Sequence, residues 1–239
     1  MKKKICVVLP CYKVKNNILK VYQKLKKKKI DLLIFVDDNC PLKSVSFLKS
    51  KIKNDDKVIF IFLKKNLGVG GATLKGINLA NKMKFDIIVK FDADNQHRVN
   101  DLMRVIKKLL KDNIYFCKGY RNLSLNASLK RKMPIIRIIG ANVLTYMSNF
   151  TTRNFNVRDV TNGLFGLNSK ILKIINIRGL KRNYLFEQDL IFKVAQKKIK
   201  IHQINSEVIY NNEISSLNAL KSIVPFAQYH IKNFFFKFY

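Results

Sequence analysis

Five short apolar runs, at residues 5–9, 32–36, 58–63, 87–91 and 114–117, recur along the first half of the chain, each followed by a turn or by a longer stretch with helical spacing. Runs of this length suit strands buried on both faces, and the segments between them are long enough for crossover helices. The pattern therefore reads as successive βαβ units and a parallel sheet. Helices are expected over 16–29, 42–53, 70–84 and 99–111. In the last, Val99, Leu102, Val105, Ile106 and Leu109 form one apolar face and lysines occupy the other. The class is α/β, with a mostly parallel central sheet flanked by helices.

Past residue 120 the rhythm changes. A polar, basic stretch leads into an apolar segment over 133–150, then a turn-rich strand near 159–167, a helix over 184–196, a strand over 199–209 and a helical tail over 215–239. No repeat, low-complexity linker or Pro/Gly cluster marks a second domain. The expected organisation is a single domain over 1–212 with a basic, aromatic C-terminal helix over 213–239.

Lys and Arg number 47 against 15 Asp plus Glu, a net charge of +32. A potential of that sign attracts polyanions: nucleic acid, anionic lipid headgroups or phosphorylated metabolites. The abundance of Lys, Asn and Ile also fits an AT-biased genome, so the charge has a compositional reading as well. The acid-free interval 113–158 sets Lys118, Arg121, Lys130, Arg131, Lys132, Arg137, Arg153 and Arg158 beside Ile135, Ile136, Ile138, Ile139, Val143, Leu144 and Met147. An interfacial helix is written this way. The tail, with Leu220, Ile223, Val224, Phe226, Ile231, Phe234, Phe235 and Phe236 among lysines, reads likewise. Both segments read equally as ordinary core or a subunit contact. The N-terminal apolar run stops at Pro10, too short for a signal peptide, and no window reaches the roughly 18 apolar residues of a spanning helix. The expectation is a cytoplasmic protein, with any attachment peripheral on the cytoplasmic face of an anionic membrane. Cys6, Cys11, Cys40 and Cys117 show no metal-ligand spacing and read as reduced, buried thiols.

The scarce acids are not scattered. Asp37 and Asp38 end the second run, Asp92 and Asp94 the fourth, Asp159 flanks a later strand, and Glu187 and Asp189 open a helix. In open α/β sheets ligands bind beyond the carboxyl ends of the strands. Carboxylates at i and i+2 leave a strand on the same side, so Asp92 and Asp94 can grip one hard cation, Mg²⁺ or Mn²⁺. Such an ion bridges a diphosphate and neutralises a leaving group. Asp37 and Asp38, ending a strand beside Pro10, Cys11 and Tyr12, read either as turn residues or as carboxylates that accept bonds from a nucleoside base or ribose. Gly68, Gly70 and Gly71 permit close backbone approach at a helix start. They lack the order of a dinucleotide fingerprint and follow the third strand. No nucleic-acid partner is expected, because carboxylates at strand ends repel phosphate unless a cation intervenes, and the charge alone does not explain ordered acids. A nucleotidyltransferase would carry a Gly-rich basic loop after the first strand, which residues 10–13 are not.

In order, Val-Val-Leu-Pro-Cys-Tyr at 7–12, Phe-Val-Asp-Asp at 35–38, Asn-Leu-Gly-Val-Gly-Gly-Ala at 66–72 and Asp-Ala-Asp-Asn-Gln-His at 92–97 resemble the motifs of family 2 inverting glycosyltransferases. Within that family the chain resembles the dolichol-phosphate (polyprenyl-phosphate) mannosyltransferase group, over roughly residues 4–210. The resemblance implies a GT-A fold, with a Rossmann-like sheet, and metal-dependent transfer from a nucleotide-sugar donor, GDP-mannose or a UDP-hexose, to polyprenyl phosphate or a glycan hydroxyl. It implies a nucleotide pocket of Pro10, Tyr12, Asp38, Gly68 and Ala93, and a metal held by Asp92, Asp94 and Gln96. Arg121 is similar to a strand-end arginine that contacts acceptor phosphate, and Arg137 lies in the basic region that follows. The stretch Asp-Val-Thr-Asn-Gly-Leu-Phe at 159–165 is similar to an acceptor-side motif and puts Asn162 and Gly163 at the acceptor, with Gly166 where a basic residue often follows. Glu187-Gln188-Asp189 falls where the family carries an acidic pair, and Asp189 is the candidate base for a hydroxyl acceptor. A phosphate acceptor is already ionised and needs no strong base. Asp94, Asp189 and Arg121 are thus the candidate catalytic set, with His97 orienting the loop. Lys13 after Tyr12 departs from the family's frequent opening.

Overall fold

The computed structural model describes residues 2–130, 132–153, 156–208 and 219–236. In chain order the elements are β1 (Ile5–Cys11), α1 (Lys15–Lys26), β2 (Leu32–Asp37), α2 (Ser44–Lys51), β3 (Val58–Phe62), α3 (Gly68–Lys82), β4 (Ile87–Lys90), α4 (Val99–Leu109), β5 (Phe116–Tyr120), α5 (Leu125–Lys130), α6 (Ile135–Thr152) and β6 (Phe165–Asn168). Two short 3₁₀ turns (Ser169–Lys173 and Ile177–Gly179) lead to α7 (Phe186–Gln196), β7 (Ile201–Asn205) and α8 (Ala219–Phe236).

The seven strands form one sheet in the order β3-β2-β1-β4-β6-β5-β7. Pairs β1–β2, β2–β3, β1–β4 and β5–β7 are parallel, whereas β6 runs antiparallel to both β4 and β5. β1 lies between β2 and β4 and is buried on both faces, which is why its sequence is an unbroken apolar run. Its Val7, Leu9 and Cys11 join a core with Ile18 and Leu25 of α1 and Leu102 and Val105 of α4. Cys6 and Val8 face the other core, with Ala72 and Ile77 of α3 and Leu190 and Val194 of α7. α3 approaches the sheet closely through Gly76, where an added Cβ would lie 2.2 Å from Val8 Cγ1. All four cysteines are free and buried.

Two expected strands are displaced. The run at 114–117 becomes β5, which starts at Phe116 and continues through a buried Lys118. Of residues 159–167 only the end forms β6, and the preceding turn is held by the Asp159 side chain, which accepts from the backbone N–H of Thr161. α8 packs along α6: Thr151 Oγ1 meets His230 Nδ1 at 3.0 Å, and the Phe150 and Phe234 rings stack at 4.7 Å. The expected boundary at 212/213, Arg131, and the side chains of Lys130, Leu220, Ile223 and Phe236 lie outside the described residues. Among the described residues no helix is long and apolar enough to cross a membrane.

Candidate active site

Because β1, β2 and β4 run parallel, their carboxyl ends open at one edge of the sheet, onto a cleft of about 510 Å³. Pro10, Tyr12, Asp38, Gly68, Asp92, Ala93 and Asp94 line it, together with Leu144, Thr161, Tyr184, Glu187 and Phe226. Asp37 and Asp38 take different tasks. Asp37 accepts from the Cys40 N–H at 2.7 Å and the Val45 N–H at 3.4 Å, which fixes the turn into α2. Asp38 reaches the cleft, where Oδ1 accepts from the Leu67 N–H at 2.6 Å and burial raises its carboxyl above the usual range.

Beyond β4 a compact charge cluster forms. Lys90 and Asp92 leave the chain on the same side, and Lys90 Nζ lies 2.7 Å from Asp92 Oδ1 and 3.5 Å from Glu187 Oε1. His97 Nε2 stands 3.4 Å from Asp92 Oδ2. Burial opposes ionisation of Asp92, yet Lys90 and His97 outweigh it and hold its carboxyl below the usual range. For Glu187 burial wins over Lys90, and its carboxyl is raised. Gly163 closes over this group: an added Cβ would lie 2.5 Å from Asp92 Oδ2 and 2.6 Å from Lys90 Nζ. Asp94 lines the cleft, and its Oδ1 accepts from the Gln96 N–H at 3.0 Å. Asn95, between them, takes a left-handed backbone at φ 65°.

Hard oxygen donors at Asp92 and Asp94 fit a hard divalent cation, since a carboxylate oxygen that accepts one hydrogen bond keeps a further lone pair. Among the described residues no group of three or more His, Cys, Asp or Glu forms a preformed cage. The fit is therefore to an ion that completes its shell with substrate oxygens, as Mg²⁺ commonly does. Gln96 is not among the cleft-lining residues.

The acceptor-side candidates are held as follows. Arg121 is clasped by Asp159: Nε donates to Oδ2 at 2.7 Å, one terminal nitrogen to Oδ1 at 3.1 Å, and the same nitrogen to Thr161 Oγ1 at 2.5 Å. Lys118 Nζ also bonds the Asp159 carbonyl, and burial lowers this lysine to about 8. Asn162 is buried, donating to Ser206 Oγ at 2.8 Å and accepting from the Leu164 N–H at 2.9 Å. Arg137, half-buried on α6, does not line the cleft. Asp189 is 3% exposed, with Oδ1 accepting from Tyr229 Oη at 2.8 Å and Oδ2 from the Lys181 N–H at 2.9 Å. Its neighbour Glu187 is the acid in the cleft wall. Sequence reasoning missed Lys90, Tyr184 and the cleft positions of Leu144 and Phe226, and it named Thr161 only within the 159–165 stretch. Of these only Lys90 carried a local signal, a lone charge inside a buried strand two residues before an acid.

Comparison with known proteins identifies the family and the fold. Residues 6–175 match the model of Glycosyl transferase family 2. A UDP-N-acetylglucosamine–dolichyl-phosphate N-acetylglucosaminyltransferase from Methanococcus voltae is 27% identical over 220 residues, covering 87% of this chain and 86% of that protein. An undecaprenyl-phosphate mannosyltransferase from Micrococcus luteus is 22% identical over 182 residues, 73% of this chain and 70% of that one. Among solved structures, glucosyl-3-phosphoglycerate synthase from Mycobacterium tuberculosis, in complex with Mn²⁺, UDP and glucosyl-3-phosphoglycerate, superposes with a TM-score of 0.66 at 14% identity, covering 97% of this chain and 78% of that one.

Proposed function

The chain belongs to glycosyl transferase family 2, and we propose that it passes a sugar from a nucleotide-sugar donor to a polyprenyl phosphate, with a divalent ion and inversion at the anomeric carbon. That it is a glycosyltransferase with a GT-A fold follows from the family and the structural neighbours. The observation that carries the finer reading is the convergence, in one cleft, of Asp38 from the end of β2 and of Asp92 and Asp94 from the end of β4, with Pro10 and Tyr12 from the end of β1. Asp38 and Tyr12 hold the nucleoside, and Gly68 and Ala93 leave room for it. Asp92 and Asp94 hold the ion, which when bound supplies charge neutralisation for the departing diphosphate. The acceptor oxygen enters from the side of Leu144, Thr161, Tyr184 and Phe226, a largely apolar wall suited to a lipid phosphate. The lipid phosphates named for two relatives support this class of acceptor.

A glycan hydroxyl is the second reading, and Glu187 favours it. Glu187 lines the cleft, and burial moves its carboxyl upward, towards the range where a general base works near neutral pH. It takes the role first expected of Asp189.

A peripheral membrane position on the cytoplasmic face fits the surface. Ile135, Ile136, Ile139, Val143, Tyr146 and Phe150 make an exposed stripe along α6, and Val224, Ile231 and Phe235 are exposed on α8. An apolar stripe on a strongly basic protein suits an anionic bilayer.

The test is transfer by purified protein with Mn²⁺ or Mg²⁺, offering GDP-mannose, UDP-glucose or UDP-N-acetylglucosamine with and without undecaprenyl phosphate, beside Asp94→Ala. Lipid-dependent transfer that Asp94→Ala abolishes is the expected result. Metal-dependent donor hydrolysis indifferent to lipid moves the reading to the hydroxyl acceptor. Absence of any nucleotide-sugar binding sinks the donor assignment.

A further inference from the structure

Lys90 sits in the middle of the sheet, 2% exposed, on a strand whose other residues are Ile87, Ile88 and Val89. It does not line the cleft. An ammonium is expensive to bury unless it is paired. Here the Lys90 ammonium is paired with two carboxylates, those of Asp92 and Glu187. The two acids come from distant parts of the chain, the end of β4 and the first turn of α7, and the Lys90 ammonium stands between them. Gly163 caps the ammonium so closely that even a methyl group would displace it.

A divalent ion at Asp92 and Asp94 would meet Lys90 as a like charge and as a competitor for the Asp92 carboxylate. We propose that Lys90 is a positioning residue: an internal counter-ion that holds Asp92 and Glu187 in place before substrate arrives and keeps the donor-free affinity for divalent cations low, so that the metal enters with the nucleotide diphosphate. The inference rests on the assignment of Asp92 and Asp94 as metal carboxylates. Negative charge on the incoming diphosphate offsets the Lys90 repulsion, which couples the two binding events.

The experiment is Mn²⁺ binding, followed by the electron paramagnetic resonance signal of the free aqua ion, on wild type and Lys90→Met, each alone and with UDP or GDP. Wild type should bind Mn²⁺ weakly alone and more tightly with one of the two nucleotides. Lys90→Met should bind Mn²⁺ alone about tenfold more tightly or better, because a like charge a few ångströms away is gone, and should lose much of the enhancement by that nucleotide. Its kcat should fall by about tenfold or more as Asp92 and Glu187 lose their orientation, against a smaller change in donor KM. A role confined to stability would lower the unfolding midpoint and leave Mn²⁺ affinity and nucleotide coupling at wild-type values, and that result overturns the proposal. If Lys90→Met does not fold, Lys90→Met/Glu187→Gln removes both charges and should show a smaller gain in the same direction, because the Asp92 carboxylate is still released. Unchanged affinity in that variant overturns the proposal equally. Failure of wild type to bind Mn²⁺ with either UDP or GDP refutes the metal assignment itself and the proposal with it.

Discussion

Replacing Arg121 with Met should cost the protein stability before it costs any acceptor contact. Asp159 is fully buried, and the Arg121 side chain bonds both of its carboxylate oxygens while the Arg121 N–H donates to one of them at 3.0 Å. Burial opposes a charge at Asp159, but Arg121 outweighs it and holds the carboxyl below the usual range. A group depressed in this way gives its full stabilisation above the ordinary carboxylate value of about 3.9 and loses it only as pH falls towards the folded value, so the pair is intact at neutral pH. Removing one partner of a buried pair leaves an uncompensated charge and costs about 3–5 kcal/mol. Lys118, bonded to the Asp159 carbonyl, remains nearby and argues for the lower end, about 3 kcal/mol. Against a total stability of about 5–15 kcal/mol this is a large shift in a urea-unfolding midpoint. Arg121→Met/Asp159→Asn removes both charges and should recover most of the loss. Under conditions where Arg121→Met is folded, its acceptor KM should stay within about twofold of wild type, well under 1 kcal/mol of binding. Wild-type stability with a tenfold rise in acceptor KM would refute the reasoning and return Arg121 to the acceptor.

Two further outcomes concern α6 and α8. His230 is 4% exposed, Thr151 Oγ1 lies 3.0 Å from its Nδ1, and burial pushes its imidazole down to about 4. Its stabilising share is complete above the unfolded value of about 6.5 and is lost as pH falls from there to about 4, because the unfolded state takes up the proton first. Hydrogen exchange along α8, corrected for intrinsic rate, should accelerate between pH 7 and pH 5 in wild type and not in His230→Phe; equal acceleration in both removes His230 as the cause. On the exposed stripe, Ile136→Glu/Ile139→Glu should weaken sedimentation with anionic vesicles by at least about a hundredfold, given about 1.5–3 kcal/mol for each apolar side chain buried. The same change should leave the unfolding midpoint within about 0.5 kcal/mol. Undiminished vesicle binding removes this stripe as the membrane contact.

The parts of the fold that could be read in advance are those where a local pattern and a tertiary environment coincide. β2 and β4 are fully buried, as is β1 except at Pro10, and all three are correspondingly rich in apolar residues, while α4 shows its apolar face because one side alone meets the core. β5 and β6 break the rule because their polar or small residues are explained only by distant neighbours. Lys118 is satisfied by the Asp159 carbonyl, and Gly166 leaves the space that Leu109 and Val105 fill. The reversed direction of β6 has no local signature. The same division runs through the site. That acids end strands was legible, since each follows an apolar run directly. Which acids remain available was not, because their partners lie far along the chain: Arg121 is 38 residues from Asp159, and Tyr229 is 40 from Asp189. Glu187 and Asp189 make the point most sharply. Two residues apart on one helix, they point roughly 200° away from each other, so a single acid can face the cleft while the other faces the protein. The choice depends on which side of α7 meets α8, where Tyr229 claims Asp189, and that contact lies beyond any window that covers the helix alone.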